Sequence, residues 1–201
     1  MLLDKNPEQD FEMKIKPILE KNNLSSILCN EAFLKASFLE KIVQNSNVPI
    51  HYLDFDLLYS GFISSGILSK KDNLQLYNPT SDELQNTLQS ILENVSKERS
   101  IVIIDSLNGL NNLFEEKDAG RLINSYIMLL AFVAQNTNSQ IILASMAKMK
   151  DKEFWVLSPT GRQIITSEFL TSIQLKQNDS TMVLNLLDNK NSTVDSIEIS
   201  N

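Results

Sequence analysis

The sequence contains few residues that could form a disulfide or a structural metal site. Among its 201 residues are one Cys, one His and five Gly. Cys29 alone cannot form an internal disulfide, and Cys29 with His51 cannot complete a zinc site from the usual ligands. We therefore expect a reducing, cytoplasmic setting and no structural metal.

Long hydrophobic runs are also missing. The longest uninterrupted apolar stretch, Tyr126 to Ala134, is less than half of the ~20 residues that a helix needs to cross a bilayer. The N-terminus lacks the charged, apolar and small-residue segments of a secretory signal. These absences predict a soluble protein with no membrane contact.

Positive charge is scarce as well. Lys+Arg number 18 against 25 Asp+Glu, for a net charge of −7 and a sequence pI near 4.8. Nonspecific affinity for nucleic acid comes from neutralising phosphates, so this balance disfavours a general nucleic-acid binder but leaves a local basic loop open. The hydrophobic fraction of 42% is enough for the core of one domain.

Short β-branched runs alternate with longer amphipathic ones, which predicts an α/β fold with a mostly parallel sheet flanked by helices. A change to a period of two near the C-terminus predicts an antiparallel meander. The predicted strands are 24–29, 49–55, 74–77, 101–104, 140–145, 171–177, 181–187 and 193–199. The predicted helices include 32–43 and one carrying Leu84 to Val95.

Two further segments are predicted to be helical. Residues 1–23 suggest an N-terminal helical appendage interrupted at Pro17, followed by a single domain over 24–201. Asp118 can cap a long helix that runs through Ala134 and is apolar all round, which predicts deep burial. His51 and Cys29 are expected to be buried in strands without a chemical role.

Ligands of open α/β sheets bind beyond the carboxyl ends of the strands, where several polar residues fall. Asp105 and Ser106 end the most apolar strand, and Asp105 suits either a switch-point Mg²⁺ role or a cap. Asp54 and Asp56 are either a carboxylate pair or two solvated acids. Lys35, near a helix start, is either a solvated charge or a phosphate ligand.

A small basic cluster follows the strand at 140–145. Lys148, Lys150 and Lys152, with Trp155 nearby, could contact a single-stranded nucleic acid through charge and stacking. The alternative is a solvated turn, with Trp155 as a packing anchor.

Residues 24–188 resemble the RecA/KaiC-like ATPase superfamily. Ile101 to Leu110 is similar to its Walker B strand, and His51 to Asp56 to the strand that ends in its catalytic carboxylate. Ser158 to Arg162 is similar to the segment before its late strands. The resemblance implies a RecA-like fold, relic catalytic roles for Asp56 and Asp105, and an inter-subunit role for Arg162, for which a surface ion pair is the alternative.

The phosphate-binding register departs from this family. A P-loop needs glycines so that backbone N–H groups can surround the phosphates. Here the register reads Cys29, Leu34, Lys35 and Ala36 at its fixed positions, and no glycine occurs before Gly61. The resemblance thus implies a degenerate nucleotide site at most, with its relic residues Lys35, Ser37, Asp105 and Ser106.

The sequence predicts a pseudo-ATPase that serves as a structural or regulatory subunit, associating with itself or with a related RecA-like subunit. No cofactor is expected, unless Mg-ATP binds weakly. Two alternatives remain open: a weak Mg-dependent nucleoside triphosphatase, and an accessory protein that binds single-stranded nucleic acid.

Overall fold

A computed structural model describes residues 7–114, 119–151, 154–158, 169–178 and 181–200. The helices are α1 (Pro7–Lys14), α2 (Lys16–Lys21), α3 (Ala32–Gln44), α4 (Leu58–Ser64), α5 (Ser81–Val95), α6 (Leu107–Asn112) and α7 (Ala119–Thr137). The strands are β1 (Leu24–Cys29), β2 (Ile50–Asp54), β3 (Leu74–Tyr77), β4 (Ile101–Asp105), β5 (Gln140–Lys150), β6 (Phe154–Leu157), β7 (Leu170–Asn178), β8 (Thr181–Leu187) and β9 (Thr193–Ser200).

One sheet runs through the molecule in the strand order β3-β2-β4-β5-β1-β7-β8-β9. Neighbours from β3 to β7 are parallel, whereas β7, β8 and β9 form an antiparallel meander. The predicted fold class is therefore confirmed. The hairpin of β6 on the far end of β5 was not predicted, because the predicted strand stopped at Ser145 while β5 continues to Lys150.

Helices cover the two faces of the sheet because successive strand side chains point to opposite sides. Phe38 of α3 packs in a cluster with Ile103 of β4 on one face. Ile91 of α5 packs with Ile104 of the same strand on the other face. The strand β4 is thus buried on both sides, as its uninterrupted apolar run predicts.

The N-terminal helices pack against the first of these faces. Phe11, Ile15 and Leu19 are buried in the same cluster as the α3 side chains. The helical segment is interrupted at Ile15 and not at the predicted Pro17, which lies in the first turn of α2, where a proline is tolerated. The division of the chain at residue 23 stays a prediction.

The prediction of deep burial for α7 is wrong. Met128 and Phe132 are 64% and 67% exposed, and Leu122 and Leu129 are 39% and 46% exposed. The sheet covers only one side of the helix, which buries Ile127 and leaves the outer apolar side chains uncovered. Asp118, the predicted cap, lies outside the described residues. No helix in the described ranges is long and apolar enough to cross a bilayer.

Candidate functional site

Four predicted site residues meet at the carboxyl edge of the sheet. Lys35 of α3 extends its ammonium group between two carboxylates. Its Nζ lies 2.9 Å from Asp56 Oδ2 and forms a buried ion pair with Asp105 Oδ1. The Ser106 hydroxyl donates to the second oxygen of Asp56 over 2.8 Å. We call Lys35, Asp56, Asp105 and Ser106 the lysine cluster.

The sequence analysis missed Tyr52. Its hydroxyl donates to Asp105 Oδ2 over 2.6 Å, so both oxygens of Asp105 accept a hydrogen bond. Both oxygens of Asp56 do the same. The available signal was a tyrosine inside an apolar strand, on the same face as Asp54 and next to a strand that ends in an acid.

A second tyrosine supports Tyr52 from α4. The ring of Tyr59 stacks on Tyr52 with centroids 4.4 Å apart, and its hydroxyl donates to Glu40 of α3. Burial raises the pKa of both phenols above their usual value. Tyr52 therefore stays protonated and acts as a fixed donor to Asp105.

Three members of the lysine cluster are buried, and Asp56 reaches the surface. Lys35 is 1% exposed and Asp105 fully buried, whereas the side chain of Asp56 is 28% exposed. Burial alone would lower the pKa of Lys35, but the charges of Asp105 and Asp56 outweigh it, and this pKa lies above the usual value. Lys35 therefore stays charged at neutral pH and neutralises the carboxylates.

This placement corrects one interpretation of Lys35, because the side chain is buried and not solvated. Its role as a phosphate ligand stays a prediction. The register that resembles a phosphate loop is helical from Ala32, three residues before the lysine. The Lys35 backbone N–H already donates to Glu31 O over 3.1 Å. Side chains at Phe33 and Leu34 take the place of the glycine-rich turn.

Ser37 does not join the cluster. It lies two residues beyond Lys35 on α3 and is exposed, while Lys35 faces the sheet. Two positions along a helix are about 200° apart around its axis, so the two side chains cannot share a site. Of the predicted nucleotide-site residues, Lys35, Asp105 and Ser106 therefore lie together, and Ser37 lies apart from them.

Asp54 and Asp56 contact different groups, and the burial of Asp54 corrects the interpretation of two solvated acids. Their role as a carboxylate pair stays a prediction. Asp54 ends β2 fully buried, and its Oδ2 accepts the Ser60 backbone N–H over 2.7 Å. Its Oδ1 has no hydrogen-bond partner among the described residues. The chain turns after β2, and this turn takes Asp56 toward Lys35.

Gly109 lets α6 approach the segment that carries Asp56. Ser106 caps α6 by accepting the Gly109 backbone N–H over 3.2 Å. A Cβ atom on Gly109 would lie 2.5 Å from Phe55 Cβ and 2.9 Å from Asp56 Oδ1. Only glycine therefore fits this contact without displacing the lysine cluster.

Among the described residues of the predicted nucleic-acid cluster, Trp155 does not share a surface with the two lysines of β5. Lys148 and Lys150 are exposed on β5, but Trp155 is only 4% exposed and packs with Leu28 and Ala147. A ring in this position offers no face to a base, so the stacking role of Trp155 is wrong and its packing role is confirmed. Lys152 and Arg162 lie outside the described residues.

Cys29 and His51 are buried, as expected. Burial raises the pKa of the Cys29 thiol, which disfavours a reactive thiolate, and lowers the pKa of His51. Across the described ranges, no three His, Cys, Asp or Glu side chains are grouped so that they could hold a metal ion.

Comparisons with solved structures show the RecA-like fold. The chain matches an ATPase domain with a TM-score of 0.56 at 12% identity, over 90% of this chain and 81% of that one. It matches a DnaB-like replicative helicase, studied with its primase interactions, with a TM-score of 0.57 at 11% identity. This match covers 89% of this chain and 55% of the helicase chain. It matches the pCW3 conjugation coupling protein TcpA, in monomer form with ATPγS, with a TM-score of 0.54 at 11% identity. This match covers 89% of this chain and 60% of the TcpA chain.

The chain thus spans little more than half the length of the last two proteins. No protein-family model matches it, and no curated protein matches it in sequence. At these identities the likeness concerns the fold alone.

Proposed function

We propose that the protein is a non-catalytic RecA-like subunit, a pseudo-ATPase, which serves a structural or regulatory role in an oligomeric assembly. The observation that carries this proposal is the position of Lys35. The lysine in the phosphate-loop register is buried against the acid at the Walker B position, Asp105, instead of facing an open site.

The residues present do not fit Mg-ATP. A divalent ion bound through Asp105 would have to displace the Lys35 ammonium or the Tyr52 hydroxyl, because these two donors occupy its oxygens. A phosphate group would meet only the first-turn N–H groups of α3, because the helix starts at Ala32 and leaves no glycine-rich loop to surround the phosphate. The fold is that of nucleotide-binding proteins, while the site supports an internal ion pair.

Calorimetric titration with Mg-ATP tests the proposal. We expect no saturable heat up to millimolar ligand and no turnover above a protein-free blank. Lys97→Ala, at an exposed position, serves as the matched lysine control for Lys35→Ala. Circular dichroism verifies that each variant is folded.

Saturable micromolar binding that Lys35→Ala removes and Lys97→Ala retains would overturn the proposal. It would support the alternative of an atypical nucleoside triphosphatase, in which Lys35 leaves Asp105 to meet the nucleotide. The contacts among Lys35, Asp56, Asp105 and Ser106 are the observation that favours this second candidate.

A further inference from the structure

The outer side of α7 combines apolar exposure with an absence of charge. No Asp, Glu, Lys, Arg or His occurs from Leu122 to Asn138. The exposed positions on the side away from the sheet follow a spacing of three and four residues: Leu122, Ser125, Leu129, Phe132 and Asn136. We call these five residues the α7 seam.

The seam has the spacing of a helix–helix contact. Alternating steps of three and four residues keep side chains on one line that a second helix can cover. Ile127, Leu130 and Ala134 already bury the opposite side of α7 against the sheet. A helix that is apolar all round is ordinarily buried all round, so the seam lacks a partner within the described part of the chain.

An apolar groove lies beside the seam and enlarges this surface. It has a volume of about 560 Å³ and runs between α7 and the sheet, with Leu24, Leu143 and Ile127 in its lining. Met128, which is 64% exposed, and Phe132 border the groove. The apolar surface therefore continues from the outer side of the helix toward β1.

The distribution of charge favours a second copy of this chain as the occupant. In a two-fold interface each patch meets its own copy, so any charge near the axis faces a like charge. The chain carries a net charge of −7, and neighbouring α5 exposes Asp82, Glu83 and Glu93, which disfavours self-association through that helix. The α7 seam is charge-free, so two copies can meet there without like-charge repulsion.

We propose that the α7 seam binds the α7 seam of a second copy of this chain in a two-fold contact. This inference rests on the proposed function as a subunit and names its first partner. The Leu129 and Phe132 side chains of the two copies pack against one another, with the axis near Leu129 at the midpoint of the seam.

Light scattering or sedimentation of the full chain over a range of concentrations tests the contact. We expect a dimer at high concentration. Leu129→Glu with Phe132→Glu should weaken it at least ~10-fold, the loss typical of a central apolar anchor. Asn86→Glu with Gln89→Glu, on exposed α5 positions, is the control with the same added charge. It should leave dimerisation nearly unchanged.

A cysteine variant gives a second measurement. Cys29, the chain's single cysteine, is buried, so Leu129→Cys adds one accessible thiol. Mild oxidation should join two copies of Leu129→Cys but not of Gln89→Cys. The proposed contact would be overturned if the protein were monomeric at every concentration or if its assembly survived Leu129→Glu with Phe132→Glu. Oxidation of Leu129→Cys to species larger than a dimer would also overturn it. The Mg-ATP titration reports separately on the proposed function.

Discussion

The lysine cluster and the α7 seam distribute charge and apolar surface in opposite ways. In the cluster, an ammonium group and a carboxylate are almost completely buried, 1% exposed at Lys35 and 0% at Asp105. In the seam, Leu129 and Phe132 are 46% and 67% exposed. A buried charge needs a partner within the fold, whereas an exposed apolar face needs one outside it. The cluster therefore finds its partners within one chain, whereas the seam finds none among the described residues.

The largest expected effect is at Lys35. Lys35→Met keeps most of the side-chain volume but leaves Asp105 as a buried charge without a cation. Loss of one partner from a buried ion pair costs about 3–5 kcal/mol, measured as the free energy of unfolding in urea. Adding Asp105→Asn should recover part of this loss, because Asn removes the charge and can still accept from Tyr52. A change under about 1 kcal/mol for Lys35→Met would contradict the ion pair.

Two adjacent leucines lie on opposite sides of α7, so their substitution compares its inner and outer sides. Leu130 is 1% exposed, so Leu130→Ala should lower the free energy of unfolding by about 2–5 kcal/mol through the cavity it leaves. Leu129→Ala should change the value by about 0.5 kcal/mol or less in protein dilute enough to be monomeric. Equal costs for the two variants would place Leu129 in the core of the monomer.

Gly109→Ala tests how tightly the lysine cluster is packed. The added Cβ meets Phe55 Cβ at 2.5 Å, and overpacking of this kind costs about 1–3 kcal/mol in thermal or urea unfolding. Gly61→Ala is the control, because it is also helical and has nothing within 4 Å of the added atom. If Gly109→Ala were as stable as Gly61→Ala, the contact between α6 and Asp56 would be looser than described.

The smallest expected effect is at His51. Like Lys35, it is a buried side chain that can carry a positive charge. Burial lowers the pKa of His51 in the folded state, although Gln75 and Glu98 oppose the shift. In the unfolded chain His51 has a pKa of about 6.5, so as the pH falls it is protonated there before it is protonated in the folded state. The contribution of neutral His51 to the free energy of unfolding is therefore fully present above about pH 6.5. Below this pH it declines by at most about 1.4 kcal/mol per pH unit.

Because His51 is the single histidine, His51→Gln should remove this slope between about pH 6.5 and the lower pKa of the folded state. Urea unfolding at several pH values measures it. An unchanged slope in His51→Gln would assign the pH dependence to the carboxylates instead.

Local patterns were sufficient to predict every described strand except β6, and they predicted the mostly parallel sheet with its C-terminal meander. The bounds of β1 and β3 match the predictions, since each short run of apolar residues is set off by polar neighbours. The contacts of Lys35 could not be predicted in this way. Its two partners are 21 and 70 residues away along the chain, so only the folded sheet brings them together.

The error at α7 has a different physical origin. An apolar periodicity predicts that a side chain avoids water, but it does not say whether the same chain or another copy covers it. Leu129 and Leu130 have the same chemistry and adjacent positions, yet only Leu130 faces the sheet. The missed Tyr52 is similar, because its partner Asp105 lies on a neighbouring strand 53 residues away.

The reactivity of Lys35 toward reductive methylation tests the central claim most directly. Mass spectrometry can follow each lysine in the native protein, with the urea-unfolded chain as the reference and exposed Lys97 as the internal control. We expect Lys97 to be modified in the native state and Lys35 to stay unmodified until the protein unfolds, because its ammonium is buried between Asp56 and Asp105. Modification of native Lys35 at the rate of Lys97 would contradict the buried ion pair and, with it, the argument that the site is closed to nucleotide.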